Sequence, residues 1–342
     1  RRLVRRPLFL KRRRMQRKKE MPVDAILYVV VPCYNEEESL PLFYAEIVKV
    51  AKRLPEADFE FLFVNDGSRD RTLSILRDLA KRDSRVKYLS FSRNFGKEAG
   101  MIAGLEHAKG DYVAVLDADL QDPPEFLIEM YQILEAGEYD CVNLFRENRK
   151  GEGKIRSFFS NAFYSVYRKL TGIDLRSGAR DFRLMTRQVV NCILEMKEYN
   201  RFTKGIYCWV GFNTKWIGYP NAQRAAGETK FSMRSLIRYS INGITSFSTS
   251  PLAFASGCGV ACCAISILLA LFYAIKALIV GDPVAGFPTL VCLILLIGGI
   301  QLLCIGILGS YVAKTYMETK RRPQYFIKET DEDARKQADS DH

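Results

Sequence analysis

Two stretches in the last third of the chain limit what it can fold into. Residues 252–275 hold no acid or base in 24 positions, and residues 288–313 hold none in 26. About 20 helical residues cross the apolar core of a bilayer. Each stretch therefore predicts a membrane-spanning helix, with 281–287 as a short outer loop. The alternative is a buried hairpin in a soluble protein, and two uncharged runs of this length argue against it. Lys276, near the far end of the first run, has a stem long enough to snorkel. Lys314, Lys320, Arg321 and Arg322 follow the second run. That bias predicts that the large preceding part and the tail share the positive, cytoplasmic side.

Charge elsewhere is lopsided. The 342 residues carry a net charge of +12. Residues 1–20 hold 11 bases and one acid, which leaves 40 bases against 38 acids for the rest. A basic total produced by one arm is weak support for a nucleic-acid partner. The arm reads either as a segment that touches anionic lipid or as an extension upstream of the folded part. The 48% hydrophobic content excludes global disorder. The two histidines are His107 and His342. A serine-histidine-aspartate site would have to use His107, and a multi-histidine zinc site is excluded. Nine cysteines form no C-x-x-C pair and read as buried free thiols.

From residue 26 onward apolar runs alternate with helical spacing. Strands are predicted at 26–31, 59–65, 86–90 and 112–116, and helices at 37–54, 72–82 and 96–108. This is the pattern of an α/β domain with a mostly parallel sheet covered on both faces. Ligands of such sheets bind beyond the carboxyl ends of the strands. Three polar clusters fall there: Tyr34-Asn35-Glu36, Asn65-Asp66-Gly67-Ser68 and Asp117-Ala118-Asp119. Two carboxylates at i and i+2, leaving a strand into a turn, suit a hard divalent cation and a diphosphate. A lone D-x-D also occurs in ordinary surface turns, and Asn35 and Ser68 are reasonable helix caps. The joint placement at sibling strand ends favours a site. Segments 154–170 and 232–247 mix aromatic with basic residues. They read as interfacial amphipathic helices, or as helices packed on the main domain.

The strings VVVPCYNEEESL, FVNDGSRDRT, SRNFGKEAG, LDADLQDPPE, RDFRLMTR, NRFTKG and AAGETKFS ahead of FSTSPL follow one another in order, and GGIQLLCIGILGSYVAKTYMETKRRPQYFI closes the series. On these the chain resembles the GT-A, family 2 glycosyltransferases over about residues 24–328. More narrowly it resembles the polyprenyl-phosphate glycosyltransferases, relatives of dolichol-phosphate mannose synthase, and among them the two-span type that acts on undecaprenyl phosphate. The resemblance implies a Rossmann-like GT-A domain over 24–230, after a basic arm at 1–23. An interfacial helix at 231–251, two transmembrane helices within 252–316 and a cytoplasmic tail at 317–342 would follow. It implies a nucleotide-sugar donor, with UDP-glucose leading and UDP-GlcNAc, UDP-galactose and GDP-mannose open. It also implies a polyprenyl phosphate acceptor, Mg²⁺ or Mn²⁺, contact with membrane lipids and a homo-oligomer, with a tetramer as the candidate size.

By the same resemblance Pro32, Tyr34, Glu36, Asp66 and Asp117 match nucleotide-holding positions. Asp119 and Gln121 match metal positions, with Asp117 in the metal's neighbourhood. Arg146, Arg156 and Ser160 are counterparts of acceptor-phosphate residues. Asp181 matches the carboxylate proposed as catalytic, and Arg224 and Lys230 sit where a loop could cover the donor diphosphate. Three positions depart from the family pattern: Arg180, which would add a cation beside Asp181, Asn143 and Ser310. Two other readings compete. A processive polysaccharide synthase would carry a Q-x-x-R-W string, and the tryptophans at 209 and 216 end no such string. A non-catalytic membrane adaptor or nucleic-acid binder would have no use for Asp117, Asp119 and Gln121 together.

Overall fold

The computed structural model describes residues 25–147, 164–176, 178–220, 241–280 and 287–340. Four strands open the chain, β1 (Ala25–Cys33), β2 (Ala57–Asn65), β3 (Val86–Phe91) and β4 (Tyr112–Val115). Between them run α1 (Ser39–Arg53), α2 (Thr72–Arg82) and α3 (Lys97–His107). Then come α4 (Phe126–Glu135), β5 (Cys141–Arg146), β6 (Ala179–Thr186), α5 (Arg187–Glu195), α6 (Thr203–Trp209) and β7 (Thr214–Tyr219). The last elements are α7 (Ser250–Val280), α8 (Phe287–Thr319), β8 (Ile327–Thr330) and α9 (Asp331–Ser340).

One eight-stranded sheet has the order β7-β5-β6-β4-β1-β2-β3-β8. β4, β1, β2 and β3 are parallel neighbours, and β6 pairs antiparallel with both β4 and β5. The first half of the chain therefore winds outward from β1 to β3, then returns across β1 to place β4 on the other side. The order reverses between β1 and β4, and a crevice at such a switch point is where these sheets bind ligands. The central strands are apolar on both faces because both faces are covered. Phe61 and Phe63 pack under α1 and α4, while Val30, Val64 and Val113 pack under α3 and α5. Helix α3 lies hard against β1. A Cβ on Gly104 would come within 2.1 Å of Val30 Cγ1.

Both C-terminal helices are long and apolar enough to cross a membrane, and 6% and 0% of their most apolar windows is buried within the chain. They touch as a hairpin base, where the Tyr311 hydroxyl donates to the Ser248 carbonyl at 2.6 Å. Residues 164–171 and 241–247 are helical. The remainder of the two expected interfacial segments lies outside the described residues, as does the basic arm at 1–23. The segment 317–342 is not a tail apart from the domain. After α8 the chain returns, and β8 pairs antiparallel with β3. Arg77 Nε donates to Glu329 at 2.7 Å, and Tyr325 stacks on Phe91 at 4.9 Å. A four-residue strand held by partners some 240 positions away leaves no local pattern, so its place in the sheet was not legible in sequence.

Gly104→Ala should cost about 1–3 kcal/mol through overpacking against Val30. The check is the thermal unfolding midpoint in detergent, and an unchanged midpoint would contradict the tight α3–β1 contact.

Candidate active site

The carboxyl ends of β1 and β2 are laced together by short polar side chains. Asn35 N donates to Ser68 Oγ at 3.0 Å, Arg69 N donates to Asn35 Oδ1 at 2.9 Å, and Glu36 N donates to Thr72 Oγ1 at 2.9 Å. Asn35 and Leu120 both take left-handed backbone conformations, each at φ 54°. Such residues are costly and gather at functional turns. At Leu120 the bend folds the D-A-D-L-Q string back, so that Asp119 Oδ1 accepts from Gln121 N at 3.1 Å. The other Asp119 oxygen takes no partner among the described residues.

Asp66 is only 4% exposed, and its two oxygens accept from Phe95 N at 2.6 Å and Gly96 N at 2.9 Å. Burial pushes its carboxyl up, against those two bonds and the charge of Arg93. Asp66 thus holds the loop after β3 through one hydrogen bond on each of its oxygens. Gly67, at φ 62°, lets that loop approach, since a Cβ there would meet Arg93 C at 2.4 Å. What the loop delivers is Lys97. Its Nζ lies 2.7 Å from Asp117 Oδ1 and 2.6 Å from Asp181 Oδ2. Lys204, at the start of α6, approaches Asp181 Oδ1 at 3.5 Å.

Burial would push the Asp181 carboxyl up, but Lys204, Lys97 and Arg183 outweigh it and hold it well below the usual carboxylate range. Burial pushes Asp117 the other way, up, with Lys97 opposing and the charges of Asp181 and Asp119 adding. Lys97 itself is raised, because the two carboxylates overcome its burial. Burial, together with Asp119, Asp117 and Asp70, also raises Glu36 despite the Ser39 hydroxyl. The β1 and β4 ends therefore share an excess of negative charge.

The structure brings Glu36, Asp117, Asp119 and Asp181 to one crevice, with Tyr34 at its rim, 44% exposed. Pro32 is the last residue but one of β1, in register with Val64 of β2. Gln121 and Arg146 belong to a different network. Gln121 Oε1 accepts from Arg146 Nη2 at 3.1 Å and Arg180 Nη2 at 3.3 Å. Arg180 Nε donates to both Asp122 oxygens at 2.9 Å, and the Tyr219 hydroxyl closes the group. Two guanidiniums on one amide oxygen make Gln121 a poor metal ligand in this arrangement. Arg180 is not beside Asp181, because strand alternation sends neighbouring side chains to opposite faces of the sheet. Among the described residues no three His, Cys, Asp or Glu side chains form a ready metal cluster. Arg156, Ser160, Arg224 and Lys230 lie outside the described residues. Ser310 donates to the Ile307 carbonyl at 2.7 Å, a bond within its own helix. Lys97 and Lys204 were missed as site residues. The signal available was a lysine beside glycine in each of the strings SRNFGKEAG and NRFTKG.

The family model for glycosyl transferase family 2 matches residues 28–194. A putative glycosyltransferase of Bacillus subtilis, CsbB, is 43% identical over 306 residues, 90% of this chain and 92% of the relative. The chain belongs to glycosyl transferase family 2. The bactoprenol glucosyl transferase of Shigella phage SfV is 42% identical over 300 residues, 88% of this chain and 97% of that protein. Among solved structures, glucosyl-3-phosphoglycerate synthase from Mycobacterium tuberculosis, in complex with Mn²⁺, UDP-glucose and phosphoglyceric acid, aligns at 19% identity with a TM-score of 0.41. That alignment covers 65% of this chain and 78% of the other. The family match makes the chain a glycosyltransferase, with the crevice at the switch point as its candidate active site.

Lys97→Met should lower sugar transfer by at least about 10²-fold, as loss of a cation preorganised at a site of charge development does. It should also change acid stability in a set direction. Asp181, held low, contributes stability in full above its unfolded value of about 3.9, and loses it as pH falls through its lower folded value. Without Lys97 that folded value rises and the contribution shrinks. Thermal midpoints should therefore separate wild type from variant at pH 7, and the gap should narrow only as pH falls through the variant's own raised folded value. Coincident midpoints at pH 7 would contradict the arrangement.

Proposed function

We propose that this enzyme moves one sugar from a nucleotide sugar to the phosphate of a polyprenyl phosphate, at the cytoplasmic face of a membrane. Glucose from UDP-glucose is the leading donor, supported by 42% identity to a relative named bactoprenol glucosyl transferase. The observation that carries the reading is Lys97, clamped between Asp117 at the end of β4 and Asp181 on β6. It joins the switch-point crevice, where a nucleotide suits the fold, to the antiparallel strands beyond it. The two apolar helices supply the membrane setting.

In this reading Pro32, Tyr34 and Glu36 face the base and ribose, with the exposed Tyr34 ring as a stacking surface. Asp66 acts through the loop it holds. Arg224 and Lys230 remain candidates to cover the diphosphate, and Arg156 and Ser160 to contact the acceptor. The residues present fit a hard divalent cation, Mg²⁺ or Mn²⁺. Asp119 offers a free carboxylate oxygen, Asp117 stands two residues away, and the local charge is negative. Asp119 and Asp117 would hold the cation, and Gln121 would not. Such a cation neutralises charge on a departing diphosphate.

The bond between the sugar C1 and the diphosphate oxygen breaks, and a bond from C1 to an acceptor phosphate oxygen forms. The nucleoside diphosphate leaves with the electron pair, and in-line attack inverts the anomeric centre. A phosphate is already ionised at neutral pH, so no proton has to be removed. This agrees with Asp181. A carboxylate held so low is a poor base, and its work is to orient Lys97 and Lys204.

Purified protein in detergent, with Mg²⁺ or Mn²⁺ and undecaprenyl phosphate, is given each labelled nucleotide sugar in parallel. One donor should yield a lipid-linked product, and Asp119→Ala should reduce it by at least about 10²-fold. No product from any donor, with nucleotide binding also absent, would overturn the reading in favour of a membrane adaptor.

A further inference from the structure

Lys97 opens α3 and Lys204 is the second residue of α6, so the two lysines on Asp181 come from separate helices. Glu98 ties those helices together. It follows Lys97 in the first turn of α3. Neighbours on a helix point roughly 100° apart, and the Glu98 side chain turns from the crevice toward α6. There its carboxylate accepts from the hydroxyl of Thr203, 105 positions later in the chain and the residue before Lys204. Thr203 is 3% exposed and is the first residue of α6. Phe202, which precedes it, offers that first turn no side-chain acceptor. Burial pushes the Glu98 carboxyl up, with the charge of Asp181 adding, while the hydroxyl and N–H of Thr203 and the charge of Arg201 oppose the shift. A half-buried carboxylate that serves no substrate in the reading above is thus committed to one contact beside Lys204.

Lys204 needs that support. Its own contacts are long, 3.5 Å to Asp181 Oδ1 and 3.4 Å to the Ala179 carbonyl. Contacts of that length fix direction weakly. A lysine also has a flexible four-carbon stem, so its ammonium rests where its backbone is held. The other polar ties on this segment act further from Lys204. Arg201 donates to the carbonyls of Met196 and Ile193 at the end of α5, while Glu318 and Gln324 hold residues 198–200. On the side away from α3 the support is apolar. The Phe202 ring lies 5.8 Å from Tyr167 and 6.3 Å from Phe247, and a Cβ on Gly205 would come within 2.6 Å of the Phe247 ring. Such packing presses α6 inward without setting its direction. A charge-assisted hydrogen bond does set direction, and the one at Thr203 comes from the residue next to Lys97.

We propose that Glu98 is the positioning residue for Lys204 in sugar transfer: through Thr203 it fixes the start of α6 against α3 and so holds Lys204 on Asp181 opposite Lys97. Glu98 touches no substrate and moves no proton. The inference rests on the glycosyl-transfer reading for the reaction, and on the contact between the two helices alone for the positioning.

Two measurements on the full-length protein in detergent test this. In the transfer assay, Glu98→Ala should lower kcat by about 10²-fold, as slight misplacement of a site group does, with both KM values within about threefold of wild type. Glu98→Gln keeps an oxygen acceptor and should return kcat to within about tenfold of wild type. In a Lys204→Met background Glu98→Ala should cost no more than about twofold, because the two residues act as one unit. The second measurement is independent of turnover. Limited acetylation of lysines with an activated acetyl ester, read by peptide mass spectrometry, should show Lys204 reacting several-fold faster in Glu98→Ala and in Thr203→Val, with the exposed Lys215 unchanged as internal standard. If transfer proceeds but the losses from Glu98→Ala and Lys204→Met multiply in full, or Lys204 labelling does not move, the inference is wrong and the transfer reading stands. If no donor yields product while Lys204 labelling responds to both substitutions, the transfer reading is wrong and the positioning of Lys204 by Glu98 stands. Should Glu98→Ala fail to fold, Thr203→Val replaces it in both measurements, with Thr203→Ser as the conservative rescue.

Discussion

The ammonium of Lys97 sits between two carboxylates that the sheet cannot bring together unaided. Asp117 leaves the last parallel strand and Asp181 lies on its antiparallel neighbour. Two half-buried anions that share one cation repel each other, and the cation converts that repulsion into a fixed geometry. The cost of placing Lys97 there is spread over several contacts. Asp66 grips the backbone at Phe95 and Gly96, and Gly67 lets the loop lie close. From outside, Ser92 N donates to the Phe326 carbonyl at 3.0 Å, and Phe326 packs near Phe95. Lys204 is supported in the same way. Its loop is fixed by Glu318, which accepts from Tyr199 N at 2.8 Å, and by Gln324, which donates to the Glu198 carbonyl at 2.7 Å. Both lysines that face Asp181 are thus carried on segments braced by the end of α8 and the residues that follow it.

Strand β6 sorts cations by parity. Phe182 and Leu184 point to the α1 and α4 side, and Arg180 goes with them to Asp122 and Gln121. Arg183, like Asp181, goes to the side of α3 and α6. Three charged residues within four positions therefore serve two networks that do not touch through their side chains. The network on the α4 side is closed, since each of its cations meets Asp122, Gln121 or Tyr219. The other keeps a donor open, the buried Nη1 of Arg183.

Much of this was legible in the sequence, and for identifiable reasons. The parallel strands announced themselves because strands buried on both faces read as unbroken apolar runs, and 59–65 and 86–90 came within two residues of β2 and β3. The 72–82 helix has the bounds expected of it. The polar clusters at the strand ends fell at the switch point because alternation of strand and helix fixes where chain direction brings them. What failed to show depended on distance or on handedness along a strand. β8 has no local signal, and Arg180 looked like a neighbour of Asp181 because sequence proximity hides the pleat. Gln121 had the right chemistry for a ligand contact, but its oxygen accepts from two guanidiniums, and Asp66 has a second role in holding a loop that the sequence did not announce. Lys97 and Lys204 were hidden because their partners lie 84 and 23 positions away.

The return of the chain to β3 has a consequence for how the protein is made. In sequence order both apolar helices precede β8, so the sheet that carries the candidate site is interrupted by an apolar hairpin and finished after it. While the nascent chain emerges from the ribosome, β3 presents an open edge, with the hydroxyl of Tyr88 and the guanidinium of Arg77 lacking Glu329. Open edges invite pairing with other strands. The edge closes only after the hairpin has been synthesised, and from that moment the sheet is tethered to the hairpin from both sides.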